Sequence, residues 1–125
     1  MISDADLLFI EPKLPASRVP IVDELTRRMA AAFRISTIGG EFRDFCGVHE
    51  CVCGALSDNN DHALPNGRMT NSLCVHYVAY HRAEIPPRQL QEVAALPWGE
   101  VDPTEEELVG RKFGGRYGRW QSGGS

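Results

Sequence analysis

Apolar residues recur at helical spacing over residues 20–34: Ile21, Leu25, Met29, Ala32 and Phe33 fall on one side, Asp23, Glu24, Arg27 and Arg28 on the other. That period predicts an amphipathic helix from Pro20 to Arg34. Proline suits a first helical turn, because its φ is already helical and its missing N–H would have had no intrahelical partner. Acidic residues early and arginines late complement the helix dipole. Upstream, the apolar patch Leu7 to Ile10 runs into Pro12 and Pro15, so a short element followed by an extended connector is expected.

Past Gly39-Gly40 the period changes. Glu41 to Ala55 alternates and is rich in Phe, Val and Cys, which predicts a strand or irregular hairpin with bends at Gly47 and Gly54. Ser57 to His62 and Pro65-Asn66-Gly67 are turn chemistry. A second helix is expected from Asn71 to about Glu84, capped by Thr70, Asn71 or Ser72 and stopped by Pro86-Pro87. A third spans Pro87 to Leu96, and Asp102-Pro103-Thr104-Glu105 opens a short acidic helix through Val109. The elements add up to a small, mainly helical α+β domain over residues 1–110, with a short strand or hairpin carrying the Cys/His-rich segment. A mainly helical domain with an irregular cysteine-bearing loop is the close alternative. Residues 111–125 form a Gly/Arg/aromatic tail.

At 125 residues the chain is long enough to bury a core without disulfide staples. The N-terminus lacks a basic leader, and Leu7 to Ile10 is too short for a signal or membrane segment; a cytoplasmic protein without membrane contact is the expectation. Its cysteines are then free thiols or metal ligands rather than a disulfide framework. The net charge of −4 is unevenly spread: residues 1–110 hold 9 basic and 17 acidic side chains, residues 111–125 hold 4 basic and none acidic. An acidic body does not favour nucleic acid, whose binding rests on phosphate neutralisation. The tail, with Phe113, Tyr117 and Trp120 among Arg111, Arg116 and Arg119, carries the stacking and phosphate-binding groups that single strands use. Docking of this tail on the chain's own acidic segment is the favoured alternative.

All four cysteines and all four histidines lie between Cys46 and His81, and sulfur with imidazole is the donor set that zinc selects. The candidate ligands are His49, Cys51, Cys53, His62, Cys74 and His81. On an extended strand Cys51 and Cys53 share a face, but His49 and Cys53 would be roughly 13 Å apart at about 3.3 Å per residue, so one ion needs a bend or a knuckle-like turn. On a continuous helix Cys74 and His81 are roughly 10 Å apart, so that helix offers one ligand per ion, while His76 projects about 200° away from Cys74 and is assigned to solvent or a loop. No C-x2-C pair is present, nor the H-x-E with P-C-x-x-C pattern of zinc deaminases. The loop after Ser57 also fails the calcium-loop pattern, with Ala63 and Met69 where Gly and Glu belong.

Each candidate has a plainer reading. Cys46 and Cys74 suit small buried hydrophobes, His81 falls in the apolar stripe of its helix, and His62 reads as a turn residue. Two enzyme readings compete with the metal-stabilised one. Cys74, in the first turn of a helix, has the position that activates a nucleophilic thiolate. A metal hydrolase would instead use the His49/Cys51/Cys53 cluster, with Glu50 or Asp61 as base. The expected function is that of a zinc-stabilised accessory domain that binds a protein partner.

Overall fold

The computed structural model describes residues 7–38, 50–57 and 61–110. The expected elements at 41–49 and 111–125, and His49 and Cys46 with them, lie outside the described residues.

The first helix, α1 (Glu24–Arg34), starts at Asp23 rather than Pro20, with the Asp23 carboxylate accepting from the Thr26 amide at 3.2 Å. Residues 20–22 stay out of the helix because Ile21 is already committed: its amide donates to Ala79 O at 2.9 Å and its carbonyl accepts from the Thr26 hydroxyl. The second helix, α2 (Cys74–Tyr80), is shorter than expected at both ends. At its start the Asn71 side chain accepts from the Leu73 amide and donates to Leu8 O, a local turn that competes with helix. At its end Arg82 Nε donates to Val78 O at 2.8 Å, occupying the carbonyl that the Arg82 amide would use if the helix ran on. His81 leaves helical geometry at φ −129°, ψ 35°, and Arg82–Glu84 form a 3₁₀ turn. Two further helices follow, α3 (Pro87–Ala94) and α4 (Glu105–Val109), the latter closed at its start by a reciprocal Thr104–Glu107 capping box.

A three-stranded antiparallel sheet joins β1 (Thr37–Ile38), β2 (His62–Ala63) and β3 (Met69–Thr70) in that order, with Ile38 opposite His62 and His62 opposite Thr70. The β2–β3 turn uses Gly67 at φ 89°, as the Pro-Asn-Gly signal implies. The α+β class is thus as expected, although the sheet is made by residues flanking the cysteine segment. Within that segment Glu50 pairs with Leu56 across a tight hairpin.

Helix α2 is the centre of the molecule. Residues Cys74 to Ala79 are all buried, and α2 packs against α1 on one side and α4 on another. Leu7, Leu8, Met29, Leu73, Val75, Tyr77, Val78, Val93 and Leu96 complete the core. Among the described residues no helix is long and apolar enough to cross a membrane.

Candidate metal centre

The hairpin at residues 50–56 is closed by two backbone hydrogen bonds, Cys51 N–H to Ala55 O and Gly54 N–H to Cys51 O, each 2.8 Å. Gly54 sits at φ 96°, a conformation glycine adopts without strain. Of the strand and the irregular hairpin that the alternation suggested, residues 50–56 take the hairpin, with the expected bend at Gly54, and both sulfurs come against the end of α2.

His76 and His81 meet them there. On an unbroken helix the two histidines would point about 140° apart. Because the helix stops at Tyr80, the His81 ring is freed from that constraint, and the two ring centroids lie 5.1 Å apart. Cys51 Sγ is 3.1 Å from His81 Nε2, and Cys53 Sγ is 3.2 Å from His76 Nε2. All four donor atoms fall within 4.8 Å of one another. Tetrahedral zinc with sulfur at about 2.3 Å and nitrogen at about 2.0 Å separates S and N by about 3.5 Å, so the sulfur–nitrogen pairs need to open by only a few tenths of an ångström. Cys51, His76 and His81 are buried and Cys53 half-buried.

Neighbouring groups fix the donor atoms. His76 Nδ1 lies 2.7 Å from Leu108 O; a carbonyl only accepts, so Nδ1 carries the proton and Nε2 is left with its lone pair toward the sulfurs. The His76 ring also packs on Tyr77 and Tyr80. The two thiols are pushed in opposite directions. A hydrogen bond from Cys51 draws the Cys53 pKa far down against the effect of burial. The same interaction and then burial raise Cys51. The proton held between the two sulfurs is the one a bound metal would displace.

His76 corrects the sequence reading: it is fully buried and stands in the cluster, where a solvent or loop environment was expected. The signal was present, since His76-x4-His81 has a spacing common in Cys2His2 sites; the assumption of a helix continuous to Glu84 hid it. That helix edge supplies two donors to one cluster, not one. Of the other candidates, Cys51, Cys53 and His81 are brought together, while Cys74 and His62 are not with them. Cys74 is fully buried in the core and its thiol is pushed up to about 12 by desolvation. A buried thiol of that kind is not an activated nucleophile, so the helix-start argument for Cys74 fails. His62 lies in β2 with its ring 4.8 Å from Phe33, beside a cavity of about 320 Å³ that Ser72, Thr104 and Glu106 also line.

The arrangement is a Cys2His2-type cluster geometrically suited to a metal ion. Comparison with protein-family models, curated proteins and solved structures found no match, so the class is carried by geometry alone.

Proposed function

We propose that this protein is a zinc-stabilised binding domain whose metal is held by Cys51, Cys53, His76 and His81. The observation that carries the reading is the convergence of two sulfurs and two imidazole nitrogens within 4.8 Å, from a hairpin and a helix end. Two thiolates and two imidazoles in a tetrahedral set favour zinc over the hard cations. Four protein donors leave no open position for water or substrate, which is the hallmark of structural rather than catalytic zinc. The domain therefore acts by binding a partner, and the metal's work is to tie the residue 50–56 hairpin to α2.

Elemental analysis of protein purified without chelator tests this, with one equivalent of zinc per chain as the expected result. Cys53→Ser and His76→Gln should each lose the metal, whereas Cys74→Ala and His62→Gln should retain it. Less than about a tenth of an equivalent in the unmodified protein would sink the reading, given the tight binding of structural sites.

A further inference from the structure

His76 and His81 differ in what stands behind them. His76 has the Leu108 carbonyl at its outer nitrogen, while His81 Nδ1 is buried and makes no hydrogen bond. The His81 side chain is wholly shielded from bulk solvent. One carboxylate is poised beside it: Glu84 Oε2 lies 3.9 Å from His81 Nδ1, presented by the 3₁₀ turn that follows the helix. Once Nε2 is given to a metal, the neutral ring must carry its proton on Nδ1, and a buried N–H there needs an acceptor.

Glu84 is also engaged elsewhere. Its Oε1 accepts from the Lys13 amide at 2.9 Å and its Oε2 from the Leu14 amide at 3.1 Å. An ionised carboxylate has about four acceptor positions, so both amides and the imidazole N–H can be served together. From this juxtaposition we propose that Glu84 is the outer carboxylate of the metal centre: it receives the His81 Nδ1–H when zinc is bound, and through it the extended segment at Lys13 and Leu14 is tied to metal occupancy. The inference rests on the zinc reading above and extends it to a positioning residue and to a segment of the chain that touches no ligand. Carboxylate–histidine–metal arrangements orient the ring and raise its basicity, and losing such a partner typically weakens metal binding 10–100-fold.

The test is zinc affinity, measured by competition with a chromophoric chelator, for the unmodified chain, Glu84→Ala and Glu84→Gln, each checked for native circular dichroism without metal. Glu84→Ala should weaken zinc about 10–100-fold, and Glu84→Gln, which keeps a neutral acceptor, should weaken it less. A purely structural role for Glu84 would not move the His81 Nδ1 proton; here its NMR signal in the zinc-bound protein should be shifted downfield by hydrogen bonding and lose that shift in Glu84→Ala. Hydrogen exchange of the Lys13 and Leu14 amides should slow on zinc addition in the unmodified chain only. Affinities within twofold of one another, with an unshifted His81 proton, would overturn the role of Glu84 and leave the zinc site standing. Failure of the unmodified chain to bind zinc would overturn both.

Discussion

Asp23 serves two elements with one carboxylate. It caps α1 through the Thr26 amide and pairs with Arg82, whose guanidinium nitrogens reach its oxygens at 3.0 and 2.7 Å. Arg82 first, then the Thr26 amide, hold its carboxyl down from 3.8 to about 2. As pH falls the unfolded chain takes the proton first, so the charge-dependent stabilisation is complete above about pH 4 and lost by about pH 2. Asp23→Ala is expected to cost about 1 kcal/mol at neutral pH through the lost cap. Asp23→Asn retains a capping side chain and should cost less, since the ion pair is part-exposed and screened. Urea unfolding at pH 7, 4 and 2 checks this. A penalty for Asp23→Asn as large at pH 2 as at pH 7 would show that the charge is not its source.

At the level of elements, α4 is a five-residue helix that intrinsic propensity alone would not sustain. Its capping box sets one end and Gly110 the other, at φ 87°. A Cβ at Gly110 would stand 3.0 Å from Leu73 Cδ2 and 3.1 Å from both Ala55 Cβ and Leu56 O. Gly110→Ala thus combines a left-handed backbone with overpacking, for an expected loss of about 2–5 kcal/mol. Gly67→Ala, at φ 89° with no atom within 4 Å of the new Cβ, meets only the backbone penalty of about 1–2 kcal/mol. Thermal melts of the two variants should therefore rank Gly110→Ala as the more damaging. Because α4 also carries the Leu108 carbonyl that orients His76, Gly110→Ala should weaken zinc binding, and Gly67→Ala should not. The reverse ranking would mean that the α4 terminus has room to shift away from the hairpin.

For the molecule as a whole, a metal at the cluster would join the residue 50–56 hairpin to the central helix, where the sheet is only two residues deep per strand. So small a sheet contributes little by itself, and a cross-link there should show in global stability. Zinc bound to the native state alone stabilises by mass action, about 2.7 kcal/mol when free zinc is a hundred times its dissociation constant. Calorimetry is expected to show a Tm that rises with added zinc and falls with a chelator, with Cys53→Ser insensitive to both. A Tm indifferent to chelator would separate the cluster from the fold's stability.

Local chemistry was enough to place α1, α3 and α4 to within a few residues, since their apolar periods, prolines and the Thr104–Glu107 pair act over one or two helical turns. The pairing of cysteine with histidine around Cys51, Cys53 and His81 was also legible, because donor type is a property of the side chain alone. Which residues meet was decided by tertiary structure. Arg82 reaches back to Val78 and across to Asp23, ends α2 early and lets His81 approach His76, a juxtaposition no helical period encodes. The same packing takes Cys74 into the core and His62 onto the sheet beside Phe33. Sequence period sets which face of an element is apolar; the place where one element stops, and hence which donors converge, depends on contacts between residues that are distant in the chain.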